Sequence, residues 1–170
     1  MTHPETRARK SSGALALWLL LFCAAQNLYL FGAAAILHVV TYPALADVPS
    51  TLLPAFHASL SRRLAIVFIL PEFLAFLSVL PLFWVRSLRI SAWTVWTCVA
   101  LGVAYFAVTF GWHLPMHKLL AHGDASASTM QLLLGSHAIR TASVALKCGL
   151  LVWMLAATLR RAEGTASSDS

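Results

Sequence analysis

Four apolar runs, set apart by polar and proline-bearing segments, dominate the pattern of this chain. Ala14 to Val40 carries no charge in 27 residues, and Leu64 to Trp84 and Ser91 to Trp112 run to 21 and 22 residues with at most one charge each. Ala138 to Leu159 gives 22 more, interrupted only by Arg140 and Lys147. About 20 residues of helix, rising 1.5 Å each, cross a hydrocarbon core of roughly 30 Å. The pattern therefore predicts an all-α fold: an integral membrane, four-helix up-down bundle with spans at 14–40, 64–84, 91–112 and 138–159. Residues 1–13 form a basic tail, 14–160 the membrane domain, and 161–170 a small, polar tail expected to be disordered. Only Val85 to Ile90 joins spans two and three, which forces them to pack as an antiparallel pair. The other two connections are longer. Residues 41–63 hold Pro43, Pro49, Pro54 and the amphipathic stretch Ala55 to Arg63, and residues 113–137 hold a short helix around Met116 to Ala121 and a break at Gly123-Asp124.

Composition agrees with a membrane class: 59% hydrophobic, 11% charged and a mean hydropathy of +0.78. The first run is too long for the apolar segment of a cleaved signal peptide, and Leu20-Leu21-Phe22-Cys23 lacks the small residues expected before a lipidated cysteine. Basic residues set the expected orientation. Arg7, Arg9, Lys10, Arg86, Arg89, Arg160 and Arg161 flank one face, against Arg62, Arg63, Lys118 and Arg140 on the other. Both termini are thus expected in the cytoplasm, with the protein multi-pass in the inner (plasma) membrane. Topology and anionic lipid account for the net charge of +6 without nucleic acid as a partner. Trp84 and Trp93 at one boundary, and Tyr42 and Trp112 at the other, fit interfacial aromatic belts.

Cys23, Cys98 and Cys148 lie within predicted spans and read as small apolar packing groups. Charges in the membrane are costly, so each asks for a reason. Glu72 lies about 12 Å and Lys147 about 14 Å below the same boundary at 1.5 Å per residue, which makes them an expected ion pair or proton-sharing pair. His137, Arg140 and Lys147 are spaced by three and seven, one stripe of a helix that should face the bundle interior. Arg140 either makes a salt bridge, anchors at the headgroups or binds an anionic group of a substrate.

Six of the seven histidines, His38, His57, His113, His117, His122 and His137, fall on one side of the threaded membrane. His113 and His117, four apart, would share a helix face at metal-binding distance, although Pro115 disfavours a continuous helix and predicts that span three ends near Trp112. His57, His113, His117 and His137 are the expected metal ligands, for copper, zinc or iron. Haem held between His38 and His113 is the competing arrangement. His122, beside Gly123, reads as loop. Glu72, Arg140 and Lys147 are the residues available for catalysis.

The order Tyr42-Pro43, Phe56-His57 with Ser61-Arg62-Arg63, Pro115-Met116-His117 with Leu120 and His122-Gly123, and Ile139-Arg140-Thr141 resembles a family of small four-helix bacterial membrane proteins. That family is in turn loosely similar to the anthrone-oxygenase-like group, linked to oxidation of aromatic polyketides. The likeness runs from about Leu28 to Trp153, and departs from the pattern at His137-Ala138, where Asn-Trp is expected. It implies a four-span membrane protein and a metal- or haem-assisted oxidoreductase or oxygenase acting on an apolar, membrane-soluble substrate. The alternative is a non-enzymatic binding or accessory membrane protein whose polar stripe is structural glue between helices.

Overall fold

The computed structural model describes the backbone of residues 4–84 and 91–167, and side chains within 13–84 and 91–160. The link 85–90, with Arg86 and Arg89, lies outside the described residues, as do the side chains of Arg7, Arg9, Lys10 and Arg161. The described elements are all helical, without a strand among the described residues. Four runs are long and apolar enough to cross a membrane: span one, Gly13–Asp47; span two, Leu53–Phe83; span three, Ala92–Ala121; and span four, Ala127–Arg160.

All four are longer than their apolar cores. Span two begins at Leu53, so the amphipathic stretch before Leu64 leads into it as its first three turns. Span four begins at Ala127, eleven residues before the apolar run, and its helix continues to Ser167 through part of the segment expected to be disordered. Helix backbone satisfies its own polar groups wherever it runs, so a span does not end where hydrocarbon ends.

Prolines shape the spans without ending them. Five-residue π-helical segments lie at Leu37–Thr41, Ala65–Ile69 and Thr109–His113, and a proline follows each two positions later, at Pro43, Pro71 and Pro115. A proline lacks the N–H that would bond the carbonyl four residues back, and its ring crowds that carbonyl. The carbonyls in question, on Val39, Val67 and Gly111, are the middle residues of the three π segments. Widening the turn moves the backbone off the proline ring, with the next N–H reaching five residues back instead: Tyr42 to Leu37, Leu70 to Ala65, Leu114 to Thr109. The Tyr29 hydroxyl donates to the Val67 carbonyl that Pro71 leaves without its helical partner. Span three therefore does not stop near Trp112; it continues to Ala121.

Span four packs along spans one and three, and span two closes the bundle against span one and, through Leu53–Leu64, against Leu114–Ala121. The core falls into two clusters. One, around Leu45, Leu53, Leu120 and Leu133, fills the histidine end; the other, around Leu20, Leu82, Val95 and Leu151, fills the opposite end. Gly102 lets spans two and three approach closely, because a Cβ there would overlap the Phe76 ring. At the turn before span four, Gly123 adopts φ +89° and Asp124 accepts from the Ser126 N–H and the Thr129 hydroxyl. Those donors hold its carboxyl below the usual carboxylate range. The flanks are apolar, with Trp18, Ile36, Ile66, Val103, Leu146 and Trp153 all exposed, as a surface facing lipid requires.

Candidate functional site

Tyr42, which opens the helical turn after the first π segment, is the hub of the histidine end. Its side chain is only 2% exposed, so it is not the interfacial anchor its position in the sequence suggests. Its hydroxyl lies 3.1 Å from His113 Nε2 and 3.5 Å from His117 Nε2, and those two nitrogens are 3.1 Å apart. The other ring nitrogens are engaged elsewhere. His113 Nδ1 is 2.8 Å from Ser136 Oγ, whose own proton reaches the Leu133 carbonyl at 2.8 Å, and His117 Nδ1 is 2.8 Å from His57 Nε2.

His137 stands beside this group. It packs edge-on against Tyr42 at 4.8 Å between ring centres, donates from Nε2 to the Ala34 carbonyl at 2.9 Å, and leaves its buried Nδ1 without a hydrogen-bond partner. His38 stacks on His137 at 5.7 Å and also keeps a buried, unpartnered Nδ1. The structure thus gathers His38, His57, His113, His117 and His137, while His122 stays on the surface, bonded to the Lys118 carbonyl. His38 and His113 both pack against the His137 ring, at 5.7 and 5.6 Å. They do not face each other across a gap that a porphyrin would fill. His57 is likewise a second neighbour, since it meets the nitrogen of His117 that points away from His113. Among the described residues, no group of three or more His, Cys, Asp and Glu side chains is arranged to hold a metal ion.

The buried charges sit one layer deeper. Glu72 pairs with Arg140, at 3.3 Å, and not with Lys147. Arg140 also donates to the Tyr105 hydroxyl and lies over the Tyr105 ring, 4.5 Å from its centre. It is 4% exposed, which removes the headgroup-anchor reading, and its Nε is unpartnered. His137, Arg140 and Lys147 are all buried, as one inward stripe of span four requires. Lys147 makes no hydrogen bond or ion pair among the described residues; Cys98, Glu72 and Cys23 are the groups it feels electrostatically. Cys23 Sγ donates to the Ser78 carbonyl, and all three thiols are free and buried.

A cavity of about 410 Å³ lies between spans two and three. Leu64, Phe68, Ile69, Phe73, Phe106 and Phe110 make its walls, and Tyr42, His57, His113, His117, Glu72 and Arg140 supply its polar floor. Ile69, Phe73 and Phe110 are also exposed on the flank of the bundle, so the chamber borders the surface that lipid would cover. Tyr42, Tyr105 and Ser136 are the site residues that residue type and spacing do not reveal. The available signal for Tyr42 is its place just before a proline that sits inside a helix, four residues after His38.

The chain matches no known family model, no curated protein and no solved structure.

Proposed function

We propose that this is a multi-pass membrane protein of the oxidoreductase class that admits an apolar, oxygen-bearing molecule, quinone-like or phenolic, from the bilayer. The observation that carries the reading is the chamber between spans two and three, whose walls are aromatic and aliphatic while its floor bears a cation, a carboxylate, three imidazoles and a phenol. Apolar pockets with a few convergent polar groups are the usual form of small-molecule sites. A flat aromatic ring fits the phenylalanine walls, and its oxygen turns toward the polar lining that Arg140, Glu72 and Tyr42 supply. Glu72 and the Tyr42–histidine group then take up or deliver the protons that accompany reduction or oxidation of such an oxygen. The histidine end faces away from the cytoplasm in this reading, with both termini inside the cell at the inner membrane. The order of short motifs resembles a family of small four-helix bacterial membrane proteins that is loosely similar to the anthrone-oxygenase-like group, and that resemblance points to the same substrate class.

A non-enzymatic accessory role has one observation in its favour. Arg140 bonds to Glu72 and to Tyr105 and so ties spans two, three and four together, as structural glue would.

The test is binding of 2-methyl-1,4-naphthoquinone to the detergent-solubilised protein, read by tryptophan quenching. The wild type should bind saturably, and Thr109→Phe, which fills the chamber from span three, should weaken binding at least tenfold while the fold melts normally. Wild-type quenching that is linear and unsaturable, or equal binding by the filled variant, would leave the accessory role as the better reading.

A further inference from the structure

Three donor atoms at the floor of the chamber form a nearly equilateral triangle: Tyr42 Oη, His113 Nε2 and His117 Nε2, with edges of 3.1, 3.5 and 3.1 Å. Ligands bound about 2.0–2.1 Å from a tetrahedral first-row metal stand roughly 3.3–3.4 Å from one another. The edges bracket that spacing. The geometry points to a mononuclear transition-metal site in which Tyr42, His113 and His117 are the protein ligands and the remaining coordination position faces the chamber. This deepens the oxidoreductase reading and rests on it for what occupies the open position; the ion's three protein ligands stand on their own.

The surroundings have the form that metal-bound imidazoles require. A ligating histidine directs its other ring N–H to a fixed acceptor, which sets both tautomer and ring orientation. Ser136 has one hydroxyl proton, which goes to the Leu133 carbonyl, so its oxygen is the acceptor for the His113 Nδ1–H. In the tautomer a metal would take, His57 Nε2 accepts from the His117 Nδ1–H, 2.8 Å away. In that tautomer both Nε2 atoms are bare lone pairs facing each other at 3.1 Å, with a single phenolic proton for the two. A cation at the centre removes that conflict; binding it releases the Tyr42 proton to solvent and leaves a phenolate ligand. The Arg140 guanidinium lies within electrostatic reach of Tyr42. His57 becomes a positioning residue, not a ligand. His137, with a buried Nδ1 that nothing else claims, is the nearest further donor.

Two imidazoles and a phenolate are a mixed nitrogen and hard-oxygen set, suited to copper(II) or iron(III) more than to a thiolate-loving ion. The other way to settle the triangle is hydrogen bonding alone, with a proton on His117 Nε2 bonded to the Tyr42 oxygen and the Tyr42 proton on His113 Nε2.

The experiment loads full-length, chelator-stripped protein in detergent with copper(II), iron(III) or zinc(II) salts, and counts bound ion by mass spectrometry. One ion per chain is expected, and for copper or iron a visible phenolate-to-metal charge-transfer band. Tyr42→Phe should abolish the band whether or not some ion remains. His113→Ala and His117→Ala should each weaken retention at least a hundredfold, and Ser136→Ala ten- to a hundredfold, as loss of an outer partner does. His122→Ala should change nothing. Circular dichroism melts confirm that each variant folds, and naphthoquinone binding by the stripped protein reports on the chamber separately. Stoichiometric copper or iron binding without the band, or an ion retained equally by the His113→Ala, His117→Ala double variant, would overturn the proposal, as would a wild type that takes up none of the three ions.

Discussion

A guanidinium as deeply buried as Arg140 gives up its hydration and must recover the loss from its neighbours, here a carboxylate, a phenol and two aromatic rings. Removing one member of such a pair strands the other. Glu72→Gln and Arg140→Met are each expected to cost about 3–5 kcal/mol, with the double variant losing clearly less than the sum in thermal melts. Glu72→Gln combined with Lys147→Met should instead be nearly additive, because those two do not pair; strong coupling between them would refute the structural pairing. That Glu72 is buried and needs a partner was legible from a lone carboxylate in an apolar run. The identity of the partner was not. Depth along a helix can be counted from sequence, but the count started at Leu64, whereas the helix starts at Leu53 and the azimuth of each helix comes only from packing. The same gap hid Tyr42, whose belt-like position in the chain says nothing of which way the turn after a π segment sends its ring.

Helix number and rough placement were readable because hydrocarbon thickness imposes a length on apolar runs. Helix ends were not, since the prolines and polar residues of 53–63 and 113–121 set those helical stretches apart from the apolar runs, yet both continue their spans. The cause lies in how the chain absorbs proline. Each carbonyl that a proline leaves unbonded needs another donor, most urgently on a flank facing lipid. Tyr29→Phe removes the hydroxyl that serves Val67 and is expected to destabilise span two by about 1–3 kcal/mol, the cost of an unmet polar group. Adding Pro71→Ala restores an N–H at the right spacing, so the double variant should melt above Tyr29→Phe alone. A melt no higher than the single variant's would mean that the tyrosine acts only through packing.

For the whole molecule, four apolar runs predict an up-down order, and the seven-to-four division of basic residues predicts both termini in the cytoplasm. A reporter active only outside the cytoplasm should be silent when fused after Ser170 and active when inserted at Ser126, in the exposed turn before span four. The opposite pattern would put the histidine end in the cytoplasm. The gathering of histidines at one end was legible from topology alone, since short links return successive spans to the same side. Their arrangement around one phenol was not, because it depends on the backbone widenings at Leu37–Thr41 and Thr109–His113. A helix advances about 100° per residue, and a widened turn accommodates more residues than an α turn, so it resets the phase of everything beyond it. Tyr42 and His113 come just as those turns close. Their bearing toward each other is therefore written in chain length rather than in side-chain identity: losing one residue from either segment would leave every donor in place in the sequence while swinging it off the common centre.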